Sequence, residues 1–228
     1  MRAVEPHAAT QGMNCTNEAS SVMQTLDLTR TYTYEEYVEI SARPEFDGRK
    51  VELLDGELII EGGSDDVAGS SRINTILAML LGAYLIAYVY PRRLGAVSGA
   101  DGEHKYGPRT SLIPDVGFTR KERVGTPTGE GPFYKAPDLA IEVISASESL
   151  SNIRRKTAAY LGNGSRAVWR FYPEMRTVEV ITLEADTNSQ KTVTFGRADV
   201  LNGGEALPGF TLNLNELWAQ VDAALSGE

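Results

Sequence analysis

The chain is poor in the residues that build soft metal sites and covalent cross-links. Among its 228 residues are one cysteine, Cys15, and two histidines, His7 and His104. A single cysteine excludes an intramolecular disulfide and a cysteine zinc cluster. Two histidines disfavour an imidazole-based centre, so any metal taken up here is expected to be a hard ion with oxygen ligands. Positive charge is also short: 22 Lys and Arg stand against 31 Asp and Glu, a net charge of −9. Proteins that live on nucleic acid usually carry a basic footprint, so tight non-specific DNA binding by the chain as a whole is not expected. Basic residues do gather locally, at Arg92-Arg93, at Arg120-Lys121-Glu122-Arg123 and at Arg154-Arg155-Lys156. A Walker A lysine motif is missing, which argues against an NTPase. A G-x-S-x-G elbow is missing too, and Ser145 reads as the start of helix capping rather than as a nucleophile.

Long hydrophobic runs are equally scarce. The longest, "ILAMLLGAYLIAYVY" (76–90), is short for a bilayer span and holds three tyrosines and a glycine, so it is expected to be a buried core helix. The opening "MRAVEPHAATQGMNCTNEASSVMQ" has no apolar h-region. Residues 1–28 read as a disordered tail and 29–226 as a single domain, with a cytoplasmic location expected.

What is present is a mixture of helical and strand patterns. "TYTYEEYVEIS" (31–41) has Thr33 as N-cap and Glu36 three residues on, a capping-box spacing. "RKVELLDGELIIEG" (49–62) is two apolar runs joined by Asp55-Gly56, the pair that a type I′ hairpin turn prefers. A long helix is expected over 70–89, strands over 94–120 with Asp115 to Thr119 the clearest, and a Gly/Pro/Thr-rich loop over 124–137. A strand at Leu139–Ile144 follows, then a helix over 148–164 stopped by Gly162 or Gly164. A strand over 167–173, a hairpin over 176–195 and a closing turn and helix complete the chain. One α/β or α+β domain fits this order, a mixed β-sheet flanked by helices. Trp169 and Trp218 are expected in its core.

Three carboxylates stand where strands should be apolar. Glu52 is flanked by Val51 and Leu53, Asp115 lies in "LIPDVGF", and Glu142 lies in "LAIEVI". Alternation puts Leu139, Ile141 and Val143 on one face and Ala140, Glu142 and Ile144 on the other. A buried glutamate needs a partner or a metal. Lys156 offers one: Ile153, Lys156 and Tyr160 share a helical stripe, so Lys156 points toward the core while Arg154 and Arg155 splay outward. The plain alternative is a structural Glu142–Lys156 ion pair. Clustered carboxylates, however, repel by about 4 kcal/mol at 4 Å and an effective dielectric of 20. A divalent cation removes that repulsion, and carboxylates with a nearby lysine are the equipment of metal-assisted phosphodiester hydrolysis. Other acidic residues have simpler readings: Asp55 is explained by its turn, Glu57 and Asp65-Asp66 by solvent, and Asp138 by capping a strand.

The segments "VELLDGELI", "IPDVGF", "APDLAIEVIS", "RRKTAAYLGNG", "AVWRFYP" and "LPGFTLNLNEL", in this order, resemble the Uma2 family, also called DUF820, of the PD-(D/E)XK nuclease-like superfamily. The resemblance spans about residues 31–220 and implies a restriction-endonuclease-like core. By that resemblance Asp115 matches the PD aspartate and Glu142 the acidic residue of (D/E)XK. Ile144 occupies the usual lysine position, and Lys156 on the following helix matches the family's displaced lysine. The implied roles are ligation of Mg²⁺, or Mn²⁺ in its place, by Asp115 and Glu142, with the Val143 carbonyl completing the shell. Glu52 would act directly or through water, and Lys156 would orient the attacking water. The implied partner is DNA, with RNA or a smaller phosphodiester left open, and homodimers occur among relatives that cut both strands. Two positions depart from the family pattern: Ser70 stands where many relatives have histidine, and Tyr172 precedes Pro173 where aspartate is common. The alternative reading is a catalytically inert module for nucleic acid or protein that retains the nuclease fold.

Overall fold

The computed structural model of the protein describes residues 26–61, 71–125, 131–146 and 148–226. Ser70, Asp65-Asp66, Cys15, His7 and residues 1–25 of the expected tail lie outside the described residues.

The chain opens with helix α1 (Tyr34–Ser41), and its capping box forms as the spacing predicts. The Thr33 hydroxyl accepts from the Glu36 amide at 3.3 Å, and the Glu36 carboxylate accepts from the Thr33 amide at 2.8 Å. Strands β1 (Val51–Leu54) and β2 (Glu57–Ile60) make the expected hairpin. Asp55 and Gly56 both take positive φ, 54° and 86°, as a type I′ turn requires. Helix α2 (Arg72–Val89) follows. Next come β3 (Gly95–Ser98), β4 (His104–Gly107), β5 (Thr110–Leu112), β6 (Val116–Arg120) and β7 (Leu139–Val143). Helix α3 (Leu150–Gly162) leads into β8 (Ala167–Tyr172), and β9 (Thr177–Leu183) pairs with β10 (Gln190–Phe195). Two short strands, β11 (Val200–Asn202) and β12 (Thr211–Asn213), precede helix α4 (Leu214–Ser226).

Six strands form one mixed sheet in the order β10-β9-β8-β7-β6-β3, and four form a second in the order β2-β1-β5-β4. Strands β7 and β8 run parallel, joined by the α3 crossover; the other pairs are antiparallel. One face of the six-stranded sheet carries Leu139, Ile141, Val143, Trp169 and Phe171 and packs under α2 and α4, with Trp218 also in this core. The opposite face carries Ala140, Val168 and Ile181 and meets α3 through Tyr160 and Leu161, and the smaller sheet through Leu54 and Leu112. The alternation along β7 therefore sends Glu142 into the layer between the two sheets and α3.

Two expectations need correction. Helix α2 buries a single stripe, Leu77, Leu81, Leu85 and Val89, and leaves Met79, Ile86 and Tyr90 exposed, so it is a flanking helix rather than one buried all round. By length and composition alone it is also apolar enough to cross a membrane. The N-cap of α3 is Ser149, whose hydroxyl accepts from the Asn152 amide at 3.1 Å, and not Ser145. The capping residue sits directly before the first helical residue, and the helix starts at Leu150, later than the sequence pattern suggests.

Candidate active site

Five carboxylates and two lysines meet where β7, α3 and the β1–β2 hairpin come together. Glu52 projects from β1 and is fully enclosed. One of its oxygens, Oε1, accepts from the Ile113 amide at 2.6 Å, and Oε2 lies 3.0 Å from Lys156 Nζ. That second oxygen is buried without a hydrogen bond of good geometry. Glu142 accepts from the Tyr160 hydroxyl at 2.7 Å through Oε1 and from Lys156 Nζ at 3.3 Å through Oε2. Asp115 sits immediately before β6; its Oδ2 accepts from the Val143 amide at 2.7 Å, which fixes it to the strand that carries Glu142. All four residues picked from the sequence are thus brought together, and Glu52, which a hairpin position would leave half-exposed, is wholly buried.

The sequence reading missed Lys50, Glu61 and Glu148. Lys50 Nζ lies 3.2 Å from Asp115 Oδ1, 3.7 Å from Glu61 Oε1 and 4.0 Å from Glu142 Oε2. Lys156 Nζ also approaches Glu61 at 3.5 Å and Glu148 at 3.9 Å. A signal for Lys50 was available: it stands two residues before Glu52, so strand alternation puts both on one face. Glu61 follows from the hairpin register, because its amide donates to the Lys50 carbonyl at 2.9 Å, continuing the β1–β2 ladder.

Counted as ionised, five carboxylates face two ammonium groups, an excess of three negative charges in a largely enclosed space. Burial and that imbalance together set the electrostatics. Burial pushes the Glu142 carboxyl up to about 8; the Lys156 and Lys50 ammonium groups oppose this, and Asp115 and Glu52 add to it. Burial works against the charged form of Lys156, but Glu142, Glu52, Glu61 and Glu148 together hold its pKa well above the usual lysine range. Lys50 is likewise pushed upward: Asp115, Glu52 and Glu142 outweigh both burial and the neighbouring Lys156 charge.

Among the described residues no three His, Cys, Asp or Glu side chains converge closely enough to hold a metal ion by themselves. The donor set nevertheless suits Mg²⁺ or Mn²⁺. Mg²⁺ characteristically takes one or two carboxylates and keeps several waters, and Asp115 Oδ1 and Glu142 Oε2 already converge on one cationic nitrogen. The surplus of carboxylates over ammonium groups points the same way.

The local basic clusters are largely occupied elsewhere. Arg120, Arg123 and Arg166 surround the fully buried Asp138 at 3.5, 2.8 and 3.7 Å, so this aspartate anchors an arginine cluster rather than only capping β7. Arg155 pairs with Glu57 at 2.6 Å. Tyr172, at one of the two departures from the family pattern, donates to Glu179 at 2.7 Å.

A mixed sheet with Asp115 and Glu142 on neighbouring strand positions and a lysine presented from the following helix defines a restriction-endonuclease-like core. A family model described as "Uma2: Putative restriction endonuclease" matches residues 34–215, and the chain belongs to the Uma2 family. The fold resembles the crystal structure of "a putative nuclease belonging to DUF820" from Anabaena variabilis ATCC 29413, with a TM-score of 0.69 and 18% identity. That match covers 83% of this chain and 98% of the other. Comparison with curated proteins gave no match.

Proposed function

We propose that the protein is a Mg²⁺-dependent endonuclease that hydrolyses DNA phosphodiester bonds. The observation that carries this reading is the convergence of Asp115 and Glu142 on a single cationic position inside a largely enclosed site where carboxylates outnumber ammonium groups five to two. Asp115 and Glu142 would hold the metal, with Glu52 acting directly or through water and the Val143 carbonyl completing the shell. A divalent cation there supplies Lewis-acid stabilisation of the phosphate and a nucleophilic water at neutral pH. Lys156 holds Glu142 and Glu52 at fixed spacing and orients the attacking water. Tyr160 fixes Glu142 through Oε1, leaving Oε2 toward the lysines, and the Val143 amide fixes Asp115, so both ligands are positioned before substrate arrives. With a net charge of −9 and most clustered arginines engaged internally, DNA affinity rests on the metal and on a few exposed side chains such as Arg93 and Arg154.

One observation favours a second reading, an inert binding module: Lys156 pairs with Glu52 and Glu142, and Lys50 pairs with Asp115, so the lysines themselves bridge the carboxylates. Thermal unfolding with and without Mg²⁺ or Mn²⁺ separates the two. A ligand bound only by the native state raises its stability by about 2.7 kcal/mol at a hundredfold excess over Kd. The endonuclease gains Tm with millimolar Mn²⁺ and an Asp115→Asn variant does not; an inert module shows no metal-dependent gain.

A further inference from the structure

Resting on that metal-binding reading, we propose that Lys50 is a tethered counter-ion for the Asp115–Glu142 pair, which a divalent cation displaces, so that this lysine sets the affinity of the site for metal.

The two lysines are held very differently. Lys156 is 2% exposed and has four carboxylates within 3.9 Å, two of them almost wholly enclosed. Its ammonium is locked in the interior. Lys50 is 15% exposed and stands at the rim; only Asp115 is within hydrogen-bond distance, at 3.2 Å, while Glu61 and Glu142 lie at 3.7 and 4.0 Å. The position that Lys50 Nζ occupies, between Asp115 Oδ1 and Glu142 Oε2, is the one where a cation best relieves the repulsion of those two ligands. An ammonium and a divalent cation cannot share it, because like charges at such a separation repel strongly in a partly buried site.

The geometry also supplies somewhere for the ammonium to go. Lysine is a compact charge on a flexible four-carbon stem. Glu61, directly across the β1–β2 ladder and 39% exposed, already lies within 3.7 Å of Lys50 Nζ on the solvent side. Moving onto Glu61 keeps Lys50 paired while freeing Asp115 and Glu142. Lys50 thereby spares the empty site its carboxylate repulsion, and it weakens metal binding because it has to be displaced.

The test is Mn²⁺ affinity by titration calorimetry on the full chain, with folding of each variant checked by circular dichroism. Lys50→Met is expected to bind Mn²⁺ at least about tenfold more tightly than the wild type, and Lys50→Arg, which keeps the charge, no more tightly than the wild type. Glu61→Gln, which removes the landing point without touching either ligand, is expected to bind several-fold more weakly. Lys121→Met, an exposed lysine away from the pair, controls for the change in net charge. Equal Mn²⁺ affinity in wild type and Lys50→Met, or an equal gain in Lys121→Met, overturns the counter-ion role while leaving the metal site standing. Absence of Mn²⁺ binding in wild type and variants alike overturns the metal-binding reading and this inference with it.

Discussion

Lys156 Nζ lies 3.3 Å from Glu142 Oε2, and both side chains are more than nine-tenths enclosed. A carboxylate in the middle of an otherwise apolar strand is explained by this partner and by the Tyr160 hydroxyl on its other oxygen. The pair is the pivot of the site, and it ties the fold's stability to its chemistry.

Removing the lysine should therefore cost more than a surface ion pair. Breaking a buried pair from one side leaves an uncompensated charge and costs about 3–5 kcal/mol. Lys156→Ala is expected to destabilise by that order in urea unfolding, because Glu52 and Glu142 are both left without their ammonium. Lys156→Met combined with Glu52→Gln and Glu142→Gln should recover most of the loss. A single Lys156→Ala costing no more than about 1 kcal/mol, the worth of an exposed pair, would contradict the enclosed network.

The pH dependence of metal binding follows from Glu142. Its carboxyl is pushed up to about 8, mainly by burial. Ligation needs the deprotonated form, so affinity rises with pH through that value and protons are released on binding. Mn²⁺ affinity is expected to climb between about pH 6 and about 8 and then level off. Calorimetry in buffers of different ionisation enthalpy would reveal the proton release. An affinity that stays flat across this window would sink the assignment of Glu142 as a ligand.

His104 gives an acid-side prediction independent of the site. It is fully buried, stacked on Phe133 with ring centroids 4.6 Å apart, and its Nδ1 lies 2.8 Å from the Lys135 carbonyl. Burial is the main cause that lowers its pKa from 6.5 to about 4; the Lys135 bond works upward and Arg123 works further downward. The unfolded chain thus binds the proton more readily. The stability contributed by neutral His104 is complete above about pH 6.5 and is lost as pH falls toward about 4. The stability difference between wild type and His104→Gln is expected to shrink as unfolding is measured at falling pH across that window. A difference that does not change with pH would contradict the buried neutral ring.

Asp138 lies at the other end of β7, four residues and about 13 Å from Glu142. Stripping its charge leaves Arg120, Arg123 and Arg166 without their shared anion. Asp138→Ala is expected to lower stability by about 3–5 kcal/mol while leaving Mn²⁺ affinity unchanged. Loss of metal binding in a variant that is still folded would show that the two ends of the strand are coupled.

Features written in neighbouring residues were legible in the sequence. The Thr33–Glu36 capping box, the Asp55-Gly56 turn, the two faces of β7 and the Ile153–Lys156–Tyr160 stripe all follow from spacings of one to seven residues. The site residues Glu52, Asp115, Glu142 and Lys156 stood out because charge at apolar positions demands a partner. What stayed hidden depends on long-range docking. Alternation puts Lys50 on the face of Glu52, but its partner Asp115 is found only when the hairpin is laid against the loop that carries it. Asp138 reads as a cap until arginines from residues 120, 123 and 166 are folded around it. Strands β3, β4 and β5 are three or four residues long and bounded by Gly and Pro, too short for alternation to show. The single buried stripe of α2 is invisible because the helix is apolar on every side.

The central claim is that Glu142 serves phosphodiester hydrolysis and not only the packing of β7 against α3. The most direct measurement incubates purified protein with plasmid and single-stranded DNA in Mn²⁺, beside a Glu142→Gln variant of matched fold. The expected result is cleavage by the wild type and none by the variant. Equal cleavage by both would contradict the assignment, and cleavage by neither would favour an inert module that retains the nuclease fold.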